Sequence, residues 1–495
     1  MYIPLPAATG EPLYMRLYRT IREDCLSGVI RAGDRLPSRR GLARELHLSV
    51  NTVDGAYQQL VSEGYVESMP RSGYVVRPLF GDGTGGVKLG FRALEKLEDF
   101  SPPAKPESPA LIDFSPNGVD LTALPLGDLR KVTREVFAMD PAVAFGPCEP
   151  EGHPLLRGAL CRYLAASRGV LCSPEQVIVG AGTDYILQYL VRLLRLAGRF
   201  DGIATENPVY NKAVRIFSSM GESVVPLPLD EQGLRTAALR DCRANIAYVT
   251  PSHQFPLGIV MPAGRRAELL AWAAASGGRY VIEDDYDSEF RYEGRPVPPL
   301  FAMSQSDKVI YLGTFSKSIA PSMRVSYLVL PERLAELCRS GMAYFNTTVS
   351  VHEQIVLARF IESGLFERHI SRMRTLYRKK KDLLVKELAV FGDALEISGT
   401  DAGLHLICRF RNGPCEKDLI AAATAVGVRV YGISGYFHER STIEKAEPVT
   451  AEPDFHIPES TVLLGYGGLD ERVIQEGCRL LRIAWSNSRE NDGQP

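Results

Sequence analysis

Short apolar runs that predict β-strands alternate with helical patterns through the middle of the chain, and this alternation limits the folds that the chain can adopt. The strand-like runs occupy residues 177–179, 202–205, 246–250, 280–284 and 309–312. Strands and helices in turn predict a largely parallel sheet covered by helices on both faces, with ligands bound at the carboxyl ends of the strands. No glycine-rich dinucleotide fingerprint follows any of these runs, which disfavours a nicotinamide cofactor.

The last of these runs leads into a lysine that is surrounded by hydroxyl residues. Lys317 lies in the sequence Thr314-Phe-Ser-Lys-Ser318, and Arg324 follows it. A lysine amine condenses with an aldehyde, while hydroxyl and guanidinium groups nearby can hold a phosphate. The pattern therefore favours a Schiff base with a phosphorylated aldehyde. Taken alone, Lys317 also fits a solvated loop lysine beside a salt-bridging arginine.

Three further polar motifs stand where strand-like runs end. The turn at 180–183 offers backbone amides and the Thr183 hydroxyl to a phosphate, but Gly-x-Gly turns are common. Tyr210, in the motif Asn-Pro-Val-Tyr, suits either stacking on a flat ring or ordinary packing. The run 282–290 places several carboxylates at the end of a buried strand, where a charge is costly unless it meets a cation such as a pyridinium.

Composition and charge disfavour several classes of protein. With 495 residues the chain is expected to form about two or three domains. The net charge of -2 means that any nucleic-acid site would have to be local. No apolar run approaches the ~18 residues of a membrane span, and the N-terminus has no signal-peptide pattern. The nine cysteines form no Cys-x-x-Cys pair, which predicts reduced thiols, no bound metal and a cytoplasmic protein.

The N-terminal region carries a different pattern, in which three helical segments precede a hairpin. Helical spacing covers 12–30 and 39–46, and a third helix begins after Ser49. Residues 64–76 then alternate as a two-stranded hairpin does. This order predicts a winged helix-turn-helix, whose third helix enters the major groove of DNA while the wing touches the backbone.

Three segments of this region resemble the GntR family of bacterial regulators. They are Leu-Pro-Ser-Arg-Arg-Gly-Leu-Ala, Leu-Ser-Val-Asn-Thr-Val and Leu-Val-Ser-Glu-Gly-Tyr, in that order. The resemblance implies DNA contacts from Arg40, Ser49, Asn51, Thr52, Arg71 and Gly73. Val50 stands where relatives often have an arginine, and Asp54 adds a negative charge nearby, so we expect a modest affinity of one head and a gain from dimerisation. A solvated helix face is the alternative.

Glycine- and proline-rich sequence separates this region from the rest of the chain. The segment 77–112 contains Gly-Asp-Gly-Thr-Gly-Gly and Ser-Pro-Pro-Ala-Lys-Pro-Glu-Ser-Pro, which is typical of a tether. We therefore expect a DNA-binding domain at 1–76, a linker at 77–112, and a ligand-binding domain at 113–495 that ends in a smaller subdomain.

The strand-end motifs, in this order and spacing, resemble the fold-type I aminotransferases, which are built on pyridoxal phosphate (PLP). The resemblance runs from about Asp113 to the C-terminus and implies an α/β/α sandwich rich in parallel strands. It implies that Lys317 forms the internal aldimine and that Asp284 pairs with the pyridinium nitrogen. It also implies that Tyr286 hydrogen-bonds the ring hydroxyl and that Tyr210 stacks on the ring. The phosphate contacts that it implies are Gly182, Thr183, Thr314 and Arg324.

A GntR-type head joined to an aminotransferase-like body resembles the MocR-type regulators, and several segments are close to their GABA-responsive branch. This layout implies a transcriptional regulator that forms a head-to-tail homodimer and binds promoter DNA. It also implies that an amine or amino-acid effector is sensed by formation of an external aldimine, which displaces Lys317.

The sequence departs from this pattern at the residues that would bind a carboxylate of the effector. The run 462–469 has no arginine; Gly468 replaces one arginine of the GABA-responsive branch, and Lys212 stands at the position of the other. His253 and Arg429 are further candidates for effector binding, although a structural role also suits each of them. Two alternatives stay open: a working aminotransferase whose head only tethers it, and a regulator that senses PLP itself.

Overall fold

The computed structural model describes residues 3, 11–70, 73–78, 111–198, 200–294, 297–438 and 460–490. The chain divides into two compact units, Met1–Glu107 and Ser108–Pro495. The division falls inside the segment 77–112, most of which lies outside the described residues. The extent of the linker therefore stays a prediction.

The N-terminal unit consists of three helices followed by a two-stranded antiparallel sheet. Its elements are α1 (Leu13–Ser27), α2 (Arg39–Glu45), α3 (Val50–Ser62), β1 (Val66–Met69) and β2 (Gly73–Val76). The hydroxyls of Ser38 and Ser49 accept hydrogen bonds from the backbone N–H groups of Gly41 and Thr52, at 3.1 and 3.0 Å. These caps satisfy N–H groups that the first turn of a helix leaves without a partner. The order of elements confirms the predicted winged helix-turn-helix.

The core of this unit forms between α1 and α3. Leu17 and Ile21 of the first helix and Val53, Tyr57 and Leu60 of the third have no exposed surface. Burial of one such side chain stabilises the fold by about 1.5–3 kcal/mol. The Tyr57 hydroxyl, which would be costly to bury unpaired, donates to a backbone carbonyl just before α2. The helical spacing of apolar residues in the sequence therefore determines which face of α3 packs on α1 and which face stays exposed.

The C-terminal unit contains fourteen further strands and thirteen further α-helices among its described residues. The strands are β3 (Ile112–Asp113), β4 (Val177–Gly180), β5 (Ile203–Asn207), β6 (Val224–Asp230), β7 (Gly233–Leu234), β8 (Ile246–Val249), β9 (Tyr280–Asp284), β10 (Val309–Thr314), β11 (Ser326–Val329), β12 (Leu395–Ser398), β13 (His405–Phe410), β14 (Val428–Arg429), β15 (Tyr431–Gly432) and β16 (Thr461–Gly465). The helices are α4 (Leu126–Phe137), α5 (Pro141–Phe145), α6 (Pro154–Arg168), α7 (Thr183–Ala197), α8 (Asn211–Ser219), α9 (Thr236–Asp241), α10 (Ala263–Ala274), α11 (Leu300–Met303), α12 (Glu332–Gly341), α13 (Val351–Glu362), α14 (Leu365–Leu388), α15 (Glu416–Ala425) and α16 (Glu471–Glu490).

An eight-stranded sheet with the order β4-β11-β10-β9-β8-β5-β6-β7 forms the centre of this unit. The five strands from β10 to β6 run parallel, whereas β11 is antiparallel to both of its neighbours and β7 is antiparallel to β6. The connection between β10 and β11, residues 315–325, contains no α-helix, which is the element that usually forms the crossover between parallel strands. The expected largely parallel sheet is confirmed.

Helices cover both faces of this sheet. Ile246 and Tyr248 of β8 belong to the apolar cluster that contains α7, while Ala247 and Val249 belong to the cluster that contains α10. Successive side chains of a strand point to opposite faces, so a strand that is apolar throughout is buried on both sides. The sheet is therefore a buried layer, and its strand ends are where polar groups can reach a ligand.

A smaller antiparallel sheet, with the order β12-β13-β16-β15, forms the C-terminal subdomain. Trp485 of α16 is buried there, packs on Phe410 and donates its indole N–H to the Leu419 carbonyl at 3.1 Å. β3 pairs with β14 and so joins the start of the unit to this subdomain. Among the described helices, none is long and apolar enough to cross a membrane.

Candidate functional site

A cavity of about 240 Å³ opens at the carboxyl ends of the parallel strands. Eight of the residues singled out from the sequence line it: Thr183, Tyr210, Lys212, Asp284, Tyr286, Thr314, Lys317 and Arg324. They come from separate connections along the chain, and the sheet brings them together because ligands collect beyond the carboxyl ends of its strands. The cavity walls are more apolar than polar.

Lys317 follows β10 and presents its amine to the cavity. Its Nζ donates hydrogen bonds to the Pro116 carbonyl and to Asn117 Oδ1, both at 3.2 Å. Burial lowers the pKa of Lys317 to about 8, and the negative charge of Asp287 acts in the opposite direction. About a tenth of the amine is therefore unprotonated at pH 7, far more than for an ordinary lysine, and this is the form that attacks an aldehyde.

Asp284 is the last residue of β9 and is buried with one unsatisfied oxygen. Its Oδ2 accepts a hydrogen bond from the Tyr248 hydroxyl, whereas Oδ1 has no partner among the described residues. Burial raises the pKa of Asp284 to about 7, and the hydrogen bond from Tyr248 opposes that rise. A buried carboxylate oxygen without a partner is costly, so this site suits a ligand that brings a cation or an N–H donor.

Tyr286 lines the cavity, and His253 lies behind it. The Tyr286 hydroxyl is 3.0 Å from His253 Nδ1, which is also 2.8 Å from Asp287 Oδ2. His253 is buried and does not line the cavity. Its geometry therefore places it as a support for Tyr286, and its predicted contact with an effector stays a prediction.

The turn between β4 and α7 forms an anion cradle together with Arg324. Gly182 has a φ of 83°, which favours glycine, and a Cβ added there would lie 2.5 Å from Arg324 Nη2 and would displace the guanidinium. Thr183 opens α7, whose free N–H groups favour an anion. The Arg324 guanidinium donates to Asp184 Oδ2 at 3.0 Å.

Hydroxyl groups complete this cradle. Thr314 Oγ1 lies 2.9 Å from Ser326 Oγ and 3.1 Å from Ser316 Oγ, and Thr183 Oγ1 lies 3.4 Å from Ser326 Oγ. Several hydroxyls, a guanidinium and a helix N-terminus at one place are the groups that hold a phosphate monoester.

Aromatic rings form another part of the wall. The rings of Tyr210 and Phe255 meet edge to face with centroids 6.0 Å apart, and Phe255 meets Tyr286 in the same way at 6.0 Å. Tyr210 immediately precedes α8, and Lys212 follows in the first turn of that helix. Lys212 is exposed, and it has no carboxylate partner among the described residues.

Arg429 lies away from the cavity lining. It belongs to β14, is largely exposed, and its Nη1 is 3.8 Å from Asp113 Oδ2. It is not among the residues that line the cavity. The structure thus groups Lys212 with Lys317 but does not bring Arg429 to them, and an effector contact from Arg429 stays a prediction.

The sequence interpretation missed Asn117, which touches the amine of Lys317. The segment that carries Asn117 packs closely against the chain that follows β16. The backbones approach so closely that a Cβ added to Gly118 would lie 2.9 Å from the Gly468 backbone nitrogen. At its other end, Asp120 Oδ2 accepts a hydrogen bond from Lys380 Nζ at 2.6 Å. No local pattern could reveal this contact, since Asn117 and Lys317 are 200 positions apart.

The predicted DNA contacts lie on the N-terminal unit. Arg40, Ser49 and Asn51 are exposed and Thr52 is half-buried at the start of α3, while Gly73 opens β2 with a φ of 82°. Arg71 lies outside the described residues. The Asp54 carboxylate, which we expected to oppose DNA, accepts a hydrogen bond from Arg39 Nη1 at 2.5 Å. Its charge is thus already offset within the head.

Two family descriptions match the chain. Residues 13–76 match the bacterial regulatory proteins of the gntR family, and residues 112–434 match Aminotransferase class I and II. In the described part of the chain, no group of histidine, cysteine and acidic residues could hold a metal ion.

Three curated relatives align over most of the chain. The HTH-type transcriptional regulator YdeL of Bacillus subtilis is 38% identical over 96% of this chain and 97% of its own length. The probable rhizopine catabolism regulatory protein MocR of Rhizobium meliloti is 34% identical over 96% of this chain and 94% of its own. The pyridoxine biosynthesis transcriptional regulator PdxR of Corynebacterium glutamicum is 33% identical over 88% and 91%. These relatives do not single out the GABA-responsive branch.

Solved structures share the fold of the C-terminal unit. A multiple substrate aminotransferase from Thermococcus profundus superposes with a TM-score of 0.66 over 81% of this chain and 96% of its own, at 23% sequence identity. The kynurenine aminotransferase of Pyrococcus horikoshii gives a TM-score of 0.64 over 80% and 94%, at 22% identity. Together with the family match, these neighbours identify PLP as the cofactor.

The cavity fits PLP. The unsatisfied Asp284 Oδ1 suits a protonated ring nitrogen, the cradle around Arg324 suits the phosphate, and the Lys317 amine suits the aldehyde. Tyr286 and Tyr210 line the same cavity and can contact the ring.

Proposed function

The chain belongs to the MocR-type regulators of the GntR family, which join a GntR helix-turn-helix to an aminotransferase class I and II domain, and on that premise we propose that it binds promoter DNA and responds to an amine or amino-acid effector at Lys317. The proposal joins two sites that lie in separate units of one chain. DNA is read by the N-terminal unit, and the effector enters the cavity of the C-terminal unit.

One observation carries the proposal: the amine of Lys317 and the unsatisfied carboxylate of Asp284 line one cavity in a chain that also carries a winged helix-turn-helix. A simple DNA-binding protein has no use for a desolvated lysine and a buried, half-paired carboxylate. Such groups are expensive to bury, and they are retained where they handle a ligand.

Different residues of the cavity contact different parts of the cofactor and the effector. When bound, PLP supplies an aldehyde carbon for which the amines of Lys317 and of an effector compete. Lys317 provides a nucleophile because its lowered pKa leaves part of the amine unprotonated. Asp284 provides the negative charge that stabilises a protonated ring nitrogen. Once free, the Lys317 ammonium is held by the Pro116 carbonyl and Asn117 Oδ1.

Lys212 supports an effector that carries a carboxylate in addition to its amine. Arg324 already pairs with Asp184, and Lys317 is committed to the aldehyde. Lys212 is a further cation in the lining, and it has no carboxylate partner among the described residues. The effector class that these charges favour is therefore an amino acid or another amine that bears an acidic group.

Arg40, Asn51, Thr52 and the cap residue Ser49 supply the polar groups of the proposed DNA-binding surface. Arginine and small polar side chains at the start of a recognition helix contact phosphates and base edges. We propose a cytoplasmic homodimer of head-to-tail arrangement, because two heads reading two half-sites offset the modest affinity of one head.

Enzymatic transamination is the second candidate function, because the cofactor-binding set around Lys317 is complete. The run 462–469 has no arginine to clamp a substrate carboxylate, which favours sensing over turnover. A regulator that responds to PLP alone is a third possibility, and it needs no contact from Lys212.

A titration of the full-length protein tests these functions together. Primary amines with and without a carboxylate are added to the PLP-loaded protein, and the visible absorption of the lysine-bound cofactor is followed in parallel with binding to DNA from its own promoter region. We expect acidic amines to change both signals over the same concentration range. Lys317→Ala is expected to keep DNA binding, which shows that the protein is folded, and to lose the response to amines.

Three results would contradict the proposal. A Lys317→Ala protein that keeps both the chromophore and the amine response would remove Lys317 from the site. Rapid multiple turnover with an amino donor and a keto acid would identify an enzyme. A DNA response to PLP alone, with no further change on adding amines, would identify a PLP sensor.

A further inference from the structure

Two cysteines of the C-terminal unit touch each other beside the end of α6. Cys161 belongs to that helix, and Cys172 lies in the connection between the helix and β4. Their Sγ atoms are 3.5 Å apart, which is van der Waals contact between two thiols. Both residues are half-buried, so a small solute can reach the pair while a second protein thiol cannot approach it as easily.

The surroundings of the pair favour Cys161 as the more reactive thiol. The Cys172 thiol donates to Cys161 Sγ, and this contact is the main cause that lowers the Cys161 pKa, with smaller help from Arg162 and Arg157. Burial and the charge of Glu175 act against it. A thiolate beside a second thiol is the arrangement from which a disulfide forms, because the first attacks an oxidant and the second resolves the product.

The connection that Cys172 belongs to begins next to a residue that supports the cofactor strand. Arg168, the last residue of α6, donates to both carboxylate oxygens of Asp285, at 2.9 and 3.1 Å, and to Ser252 Oγ at 2.9 Å. Asp285 directly follows Asp284 in the chain. Cys161 lies two helical turns before Arg168, and Cys172 lies four residues after it. A bond between the two cysteines would therefore close a loop that contains Arg168.

We propose that Cys161 and Cys172 form a redox pair that a small peroxide converts to a disulfide, and that this bond restrains the end of α6 around Arg168. The Cys161 thiolate attacks one peroxide oxygen; the O–O bond breaks, and the displaced hydroxide takes up a proton to leave as water. Cys172 then attacks the sulfur of the resulting sulfenic acid; the S–S bond forms, the S–O bond breaks, and a second water leaves. The sum is two thiols and hydrogen peroxide giving a disulfide and two waters.

This modification is independent of the proposed regulatory function. A disulfide within a reducing compartment is transient and marks a redox-sensing or catalytic pair, so the bond is expected to open again with a dithiol reductant. The N–H groups of Gly169 and Val170 already donate to the Leu164 carbonyl at the end of α6, and the disulfide would add a covalent link between Cys172 and the same helix.

Trypsin separates the two cysteines, which makes the bond directly measurable. Cleavage after Arg157, Arg162 and Arg168 places Cys161 in peptide 158–162 and Cys172 in peptide 169–192. The reduced full-length protein is treated with hydrogen peroxide, alkylated with N-ethylmaleimide, digested and analysed by mass spectrometry. We expect these two peptides to be joined, with the loss of two hydrogens, and to separate after reduction with dithiothreitol.

Three single variants control the experiment. Cys161→Ser and Cys172→Ser are expected to abolish the linked species. Cys415→Ser removes a half-buried thiol that donates to the Asp418 carboxylate instead, and it is expected to leave the linked species unchanged. Oxidation of Cys161 only to sulfinic acid, or linkage of either cysteine to a different peptide, would overturn the pair.

Hydrogen exchange tests the restraint. Amides between residues 163 and 172 are expected to exchange at least about threefold more slowly in the oxidised protein than in the reduced one, and to recover on reduction. Equal exchange in a protein that contains the linked peptides would refute the restraint, and the same measurement on Cys172→Ser before and after peroxide corrects for other oxidation.

Discussion

Asp284 has one carboxylate oxygen bound to Tyr248 and the other without a partner, and this asymmetry concentrates its charge toward the cavity. A carboxylate in this position does more for a cationic ligand than for the fold, because burial, together with the charges of Asp285 and Asp287, raises its pKa to about 7 against the hydrogen bond from Tyr248. A cation that meets Oδ1 would bring that pKa back down and recover the cost of desolvation.

Asp284→Asn is therefore expected to weaken PLP binding. Loss of a charge-assisted hydrogen bond costs about 1.5–3 kcal/mol, which corresponds to roughly a 10- to 100-fold higher Kd. A titration of apoprotein with PLP, followed by absorption, measures the change. Asp128→Asn, which alters a half-buried carboxylate of α4 away from the cavity, is the matched control. An unchanged affinity of Asp284→Asn would remove Asp284 from the ring nitrogen.

The pH dependence of cofactor capture is set by Lys317. Its pKa is lowered to about 8 from the ordinary lysine value, so the unprotonated fraction of the amine increases as pH rises through about 8. We expect the rate of PLP capture by the apoprotein to rise over this interval and to level off above it, in stopped-flow absorption measurements. A rate that keeps rising to pH 10 would show that the amine is not desolvated.

Asn117→Asp tests the contact with the Lys317 amine. A carboxylate 3.2 Å from Nζ would favour the protonated form and raise the pKa of Lys317, moving the midpoint of the capture profile upward by about one unit or more. Asn117→Ala removes the amide without adding charge and is expected to leave the midpoint close to that of the unmodified protein. If both variants shift it equally, the effect comes from packing and not from the contact.

At the scale of the elements, the turn from β4 into α7 shows how backbone shape and chemistry are combined. At Gly182 the Arg324 guanidinium lies where a Cβ would be. The φ of Gly182 is also positive, which favours glycine. The turn thereby brings the N-terminus of α7 and the arginine to the same anion.

A comparison of Gly182→Ala with Gly427→Ala separates the effect of backbone strain from the effect of displacing the Arg324 guanidinium. Both glycines have a positive φ, near 83° and 82°, but a Cβ on Gly427 meets nothing within 4 Å. Each variant is expected to lose about 1–3 kcal/mol of unfolding free energy through backbone strain. Only Gly182→Ala is expected to lower PLP affinity as well, and calorimetry with PLP titration distinguishes the two effects. A loss of affinity in both variants would mean that strain alone is responsible.

Local patterns predicted much of this architecture, and distance along the chain explains the remainder. The caps at Ser38 and Ser49 and the helix after Gly182 follow from residues within a few positions, so they could be predicted. The contact of Asn117 with Lys317, the placement of His253 behind Tyr286, and the reversed direction of β11 depend on how distant segments pack. The pairing of Asp54 with Arg39 joins two helices, and the spacing of residues within one helix could not predict it.

At the scale of the whole molecule, an exposed aromatic face accompanies the proposed dimer. Phe137 and Phe145 are 56% and 54% exposed, and their rings meet edge to face with centroids 5.4 Å apart, beside His352. Contiguous exposed apolar patches are frequent sites of protein–protein contact, and we propose that these rings belong to such a patch. A second copy of this chain is the partner that the proposed homodimer supplies.

Phe145→Asp is expected to shift the full-length protein from dimer to monomer, because a buried charge at the interface costs several kcal/mol. Sedimentation velocity over a concentration series measures the shift. Val29→Asp introduces the same charge at a more exposed apolar residue of the head, 71% exposed, and is expected to leave the assembly unchanged. A Phe145→Asp protein that stays dimeric would place the interface elsewhere.

The backbone contact between Gly118 and Gly468 constrains how the proposed effector site can change its ligand during evolution. A Cβ on Gly468 would lie 3.2 Å from the Gly118 Cα, so an arginine gained at that position by mutation would have to be accompanied by a shift of the chain that carries Asn117. We therefore expect a carboxylate-binding arginine at Gly468 to need a compensating change near Asn117, whereas Lys212, which is exposed, can vary independently.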